Sequence, residues 1–169
     1  GGSNLHSALN LRNKNPGVGN YLSDRRLSFD SLMVETGYDN VRFIPGDVLV
    51  AGTPNLTYAQ KTGLVKQIEK IDADYVLLDL GSGASNNVVD FFLISNSGLL
   101  VSSPHVGAIL NAYSFLKNAT FRFLMRAFSG ESAVSRYLRN QIRERRPGEP
   151  VQVKGILKGL ADKNGEQAK

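Results

Sequence analysis

Two apolar runs, Tyr75-Val76-Leu77-Leu78 and Leu99-Leu100-Val101, are strand-sized and bounded by Gly, Ser and Pro, while the apolar positions between and after them recur every three or four residues. That contrast predicts short buried strands separated by helices. An amphipathic stretch over residues 24–35 stops at Gly37, and Val41-Arg42-Phe43-Ile44 predicts a strand closed by Pro45-Gly46. Over residues 57–71, Leu64, Val65, Ile68 and Ile71 share one helical face, with Lys61, Lys66, Glu69 and Lys70 turned to water. A strand over residues 74–80, a short helix over 88–94 and a strand over 98–104 follow. Ile109, Leu110, Tyr113, Leu116, Phe121, Leu124 and Phe128 then mark a long helix that ends near Ser129-Gly130, with one face expected on a sheet. A last helix turns Val134, Tyr137, Leu138 and Ile142 inward and Arg136, Arg139 and Arg143 outward, until Pro147-Gly148 stops it. Alternating strands and helices imply parallel pairing with right-handed crossovers. The expected fold is therefore a single α/β domain over residues 1–169, three-layer α/β/α with a mainly parallel sheet, and a polar, disordered tail over 163–169.

The 169 residues, 41% hydrophobic and 21% charged, fit one domain with a real core. The net charge of +5 sits largely between Arg136 and Arg146, which tolerates anions without demanding nucleic acid. With no cysteine, disulfides and thiolate metal sites are excluded, and a cytoplasmic setting is expected. No apolar run is long enough for a transmembrane helix, and the opening residues lack the layout of a signal peptide.

Chemistry concentrates at Asp79-Leu80-Gly81-Ser82-Gly83, where a carboxylate ends the first apolar run and a glycine-rich turn follows. Such an arrangement serves nucleotide and phosphate sites in α/β sheets. A methyltransferase-like cofactor loop matches Val76 to Gly83, but Ser85-Asn86-Asn87 stands where a third glycine is expected, and the next strand ends in Ser102-Ser103-Pro104-His105 without the acid that would hold a ribose. A plainer reading has Asp79 capping its own turn through backbone N–H groups. Ser82 lacks a histidine partner and a G-x-S-x-G elbow, and His6 and His105 stand apart from any acid or cysteine at metal spacing.

Several pieces, in order, carry a resemblance. Gly1-Gly2-Ser3-Asn4-Leu5-His6 matches a G-G-x-N-L-H segment, Phe43-Ile44-Pro45-Gly46 a strand ending in P-G, Asp74 to Gly83 a D-Y-h-h-h-D-x-x-x-G run, and Val101-Ser102-Ser103-Pro104 through Ala112 the next strand and helix. Together, over residues 1–124, the chain resembles the MinD/ParA ATPases with a deviant Walker A motif, especially the MinD-like and FlhG-like branch. The resemblance implies ATP and Mg²⁺ as cofactors of a parent protein. Asp79 would be its Walker B acid, acting on Mg²⁺ through a coordinated water. Gly81, Ser82 and Gly83 would form switch II near the γ-phosphate, with Asn4 just beyond switch I. Such proteins sandwich ATP between two subunits, recruit a partner protein, hydrolyse and separate, and act in cell division, flagellar placement or partitioning.

One departure limits this. The G-K-G-G-x-G-K-[ST] phosphate-binding loop occurs nowhere in the chain, and the D-x-D carboxylates that would precede the G-G-x-N segment are missing too. Phosphoryl transfer depends on that loop, so this polypeptide is expected neither to hydrolyse ATP nor to bind it tightly. A noncatalytic α/β interaction module that lost the loop is the competing reading. Arg136, Arg139 and Arg143 form a solvated face or contact DNA, an acidic membrane or an acidic partner.

Overall fold

A computed structural model of the chain describes residues 4–12, 15–24, 26–46, 56–95, 97–128, 130, 133–143 and 153–167. These residues are mostly helical, and the chain separates into two compact units, Gly1–Ser82 and Gly83–Lys169.

In the first unit, α1 (Leu5–Ala8) and α2 (Val18–Ser23) precede a 3-10 turn at Asp30–Leu32, then β1 (Val34–Glu35), β2 (Arg42–Phe43) and α3 (Tyr58–Ile68). The two strands pair antiparallel, Val34 with Phe43 and Glu35 with Arg42. Thr36 stabilises the connection by donating its hydroxyl to the Val41 carbonyl (2.7 Å) and accepting from the Tyr38 amide (3.1 Å). Helix α3 begins where its sequence dictates. Thr57 Oγ1 accepts from the Gln60 amide at 3.3 Å, and Gln60 Oε1 accepts from the Thr57 amide at 2.9 Å. This reciprocal capping satisfies two amides that would otherwise lack partners. Phe29, Leu32, Phe43 and Leu64 are buried, with Tyr21 edge-on to Phe29 at 5.3 Å.

The second unit holds α4 (Asn86–Phe92), α5 (Val106–Ala127), α6 (Ala133–Arg143) and α7 (Val153–Gln167). Ser85 caps α4 by accepting from the Val88 amide. Val89 of α4 is buried with Phe115 and Ala119 of α5, and the Phe92 ring meets Phe115 edge-on at 4.9 Å. Near its other end α5 contributes Leu124 to a second cluster with Val134 and Leu138 of α6 and Ile156 and Leu160 of α7. Leu138 is fully buried there. Gly130, at φ +115°, makes the turn before α6 in a conformation that glycine adopts without strain.

The expected three-layer α/β/α fold with a mainly parallel sheet is not what the chain adopts. Among the described residues, the only sheet is the two-stranded antiparallel pair. Among the described residues, 75–80 and 97–103 take no regular secondary structure, and neither segment joins a sheet. Tyr75 and Leu77 are 88% and 86% exposed, and Leu99 and Val101 are 85% and 93% exposed. An apolar, β-branched run favours extended backbone locally, whereas a parallel ladder needs a neighbour about 4.8 Å away, supplied by chain distant in sequence. Among the described residues no such neighbour pairs with either segment. The long helix therefore does not lie on a sheet. It packs on α4 and α7, leaving Ile109, Leu110, Tyr113 and Leu116 exposed. The stretch expected to be amphipathic over 24–35 is also corrected, being split into the 3-10 turn and β1.

The helical expectations fare better. Those over 57–71, 88–94 and 106–128 correspond to α3, α4 and α5, and the arginine-bearing helix to α6. Its stop at Pro147-Gly148 lies outside the described residues.

Candidate functional site

The loop from Asp79 to Ser85 leads into α4. Asp79, Gly81, Ser82 and Gly83 are all exposed. The Gly81 amide donates to Asp79 Oδ1 at 3.4 Å, so the carboxylate closes its own turn in the manner of an Asx turn. Gly81 sits at φ +69° and Gly83 at φ +107°, both in the left-handed half of backbone space. A Cβ built on either would meet nothing within 4 Å. The glycines thus serve backbone conformation, and the space above them is open. A turn of this kind can present amides to an anion, with room for a phosphate oxygen to approach.

The residues present fit part of a magnesium–nucleotide site. Asp79 offers a solvent-facing carboxylate, which suits an ion that retains several waters and takes few protein ligands. Gly81, Ser82 and Gly83 offer backbone amides. Among the described residues no group of three His, Asp or Glu side chains gathers to hold a metal by itself. The cationic side chains that would grip phosphates are not supplied at this turn.

Asn4 is exposed at the start of α1, where its carbonyl accepts from the Ser7 amide at 3.0 Å and its side chain makes no capping bond. No hydrogen bond joins it to Asp79. Asp79, Gly81, Ser82 and Gly83 are thus grouped by the continuity of one loop. Ser102 and Ser103 are exposed before α5, with the Ser102 hydroxyl donating to the Ser103 carbonyl at 3.4 Å. Arg136 and Arg139 are exposed on α6, as expected, and the Arg139 guanidinium donates to the Gly130 carbonyl at 3.4 Å. The side chain of Arg143 lies outside the described residues.

Sequence reasoning passed over a charge cluster at the heart of the second unit. Asp90 of α4 is 5% exposed. Its carboxylate accepts from Arg122 through Nε (2.8 Å) and Nη2 (3.1 Å), and from Arg126 Nη2 (2.9 Å). Both arginines are on α5, one turn apart, and Asp90 in turn holds the Arg122 guanidinium even more firmly protonated than usual. The signal was present in Val88-Val89-Asp90-Phe91-Phe92: a carboxylate amid the apolar residues of a short helix requires a cation when that helix packs. Because α4 begins at Ser85, directly after the glycine turn, this cluster anchors one end of the loop that carries the candidate site.

Two further features carry less chemistry. A cavity of about 270 Å³ in the first unit is lined by Tyr21, Leu22, Leu27, Gln60, Gly63 and Leu64, with no ionisable group other than the tyrosine phenol. Among the described residues, no helix is long and apolar enough to cross a membrane. No family model matches the chain, and neither a curated protein nor a solved structure does so. The resemblance to MinD/ParA-type ATPases rests on its motifs alone.

Proposed function

We propose that this chain is the switch-bearing, central part of an ATP-dependent switch protein of the MinD/ParA type, one that positions a cellular assembly such as a division site, a flagellum or a partitioned replicon. The observation that carries this reading is the open turn after Asp79, in which two left-handed glycines leave backbone amides accessible beside an exposed carboxylate. The ordered motifs from Gly1 to Ala112 support it. In such a protein Asp79 would act on the water shell of Mg²⁺, and the amides of Gly81 to Gly83 would sense the terminal phosphate. Charge neutralisation by a phosphate-binding loop has to come from elsewhere, so the 169-residue chain alone is inactive. The setting is cytoplasmic, with peripheral contact to DNA or an acidic membrane through Arg136, Arg139 and Arg143, and the working unit is a homodimer that recruits a protein partner.

A noncatalytic interaction module is the second reading. It is favoured by one specific observation, the bond from the Gly81 amide to Asp79, which gives the carboxylate a structural use without any nucleotide. The two readings separate in a longer polypeptide that includes the sequence encoded before Gly1. The switch reading expects a phosphate-binding loop there and Mg²⁺-dependent ATP turnover. A coding region without that loop, or no turnover in the longer polypeptide, leaves the interaction module.

A further inference from the structure

The cavity of the first unit is walled by parts that the chain itself holds in place. Tyr21 and Leu22 come from α2, Leu27 from the connection to the 3-10 turn, and Gln60, Gly63 and Leu64 from α3. The Tyr21 ring is held by its edge-on contact with Phe29, Leu64 is buried, and Gln60 is held by its reciprocal cap with Thr57. Residues 60, 63 and 64 are three and four apart, so they share one face of the helix. Gly63 is the odd member of that face. Glycine inside a helix weakens it relative to alanine, and a Cβ here would meet nothing within 4 Å. Among the described residues no neighbour therefore requires glycine at this position. Its effect is to leave the wall between Gln60 and Leu64 bare.

We propose that this cavity binds a small uncharged aromatic molecule, a fused bicyclic ring carrying a hydrogen-bond acceptor. Volume sets the size: about 270 Å³ lies between the ~150 Å³ that admits benzene and the ~300 Å³ at which drug-sized pockets begin. The lining sets the charge. No Asp, Glu, Lys, Arg or His contributes to it, so a charged ligand would lose its water without gaining a counter-ion. Leucine side chains and the tyrosine ring suit the faces and edges of a flat aromatic. Gln60 sets the polar group. Its Oε1 accepts from the Thr57 amide (2.9 Å) and hydroxyl (3.0 Å), which leaves the NH2 of the carboxamide to donate. The matching ligand presents an acceptor, such as a ring carbonyl. Because packing and capping within the chain hold these walls, binding costs little reordering.

The cavity shares no residue with the glycine turn, and the proposal does not depend on nucleotide. The test titrates coumarin, a neutral bicyclic lactone, into the isotope-labelled 169-residue chain and follows its amide resonances by NMR. Saturable shifts on α2 and α3 are expected, with a Kd below about 1 mM. Coumarin-3-carboxylate should bind at least about tenfold more weakly, since nothing in the lining balances its charge. Gln60→Glu keeps a capping oxygen for Thr57 but has no NH2 to donate, so it should weaken coumarin at least about tenfold with unchanged far-ultraviolet circular dichroism. Gly63→Leu should fill the bare wall and abolish saturable binding. Shifts that stay linear in coumarin, or a carboxylate that binds as tightly as the lactone, would overturn the proposal. So would coumarin binding that is unchanged in Gln60→Glu or in a folded Gly63→Leu variant.

Discussion

Single side chains decide how the loop around Asp79 is held. Gly83 at φ +107° and Gly81 at φ +69° occupy conformations in which a Cβ crowds the following carbonyl. Gly83→Ala is therefore expected to cost about 1–2 kcal/mol in chemical denaturation, although the space around it is open. Gly98 fails differently, because a Cβ there would run into the Phe92 ring that packs on Phe115. Gly98→Ala should destabilise by about 1–3 kcal/mol through that displaced ring. The Asp90 cluster gives an asymmetric expectation. Replacing both Arg122 and Arg126 by Met leaves a buried carboxylate without its two guanidinium partners and should cost about 3–5 kcal/mol. Asp90→Asn leaves two half-exposed arginines that water can solvate, so its cost should be clearly smaller; equal losses in urea melts would refute the assignment of Asp90 as the buried member. At Asp24 the Arg26 side-chain bonds hold the carboxyl below its ordinary 3.8. That contribution is present above pH 3.8 and is lost as pH falls through the lower folded-state value. Both groups face solvent, so the contribution is small: Asp24→Asn should lower the melting temperature at pH 7 only slightly, and that small difference from the parent should vanish as the pH falls below the folded-state value.

At the scale of elements, the helices α3 to α6 and the strand at Val41-Ile44 were legible, and the parallel sheet was not. Thr57 and Gln60, the stripe of Leu64, Val65 and Ile68, and Gly130 after the long helix all act within one or two turns, so the information lies next to the structure it specifies. Residues 75–80 show the opposite case. Their apolar run reads as a strand but takes no regular secondary structure, because a strand needs a pairing partner, and that partner cannot be read from the run itself. Helix α5 shows the same division. Its start, end and apolar content were readable, but which face would find a partner depended on α4, α6 and α7. Leu138, fully buried between α6, α7 and Leu124 of α5, is where that helical packing is most easily probed. Leu138→Ala should cost about 2–5 kcal/mol in a urea melt, whereas Leu77→Ala, at an 86% exposed position, should change stability by less than about 0.5 kcal/mol.

At the scale of the whole molecule, the chain divides at Ser82 and Gly83, inside the loop that the motifs single out. The candidate site was legible as a set of residue types: an acid, then glycines that need left-handed backbone. Its surroundings were not, because the buried parallel strand expected to deliver Asp79 is an exposed, unpaired segment, and Asn4 has no bond to it. What the sequence and the open turn support together is the phosphate-sensing half of a switch. The most direct measurement is steady-state ATP hydrolysis, with and without Mg²⁺, by the protein extended to include the sequence encoded before Gly1, compared with its Asp79→Ala variant and with the 169-residue chain. The account predicts Mg²⁺-dependent turnover in the extended protein, a fall of about 100-fold or more in the variant with its fold intact, and none in the 169-residue chain. Turnover unchanged by Asp79→Ala, or hydrolysis by the 169-residue chain itself, would contradict it.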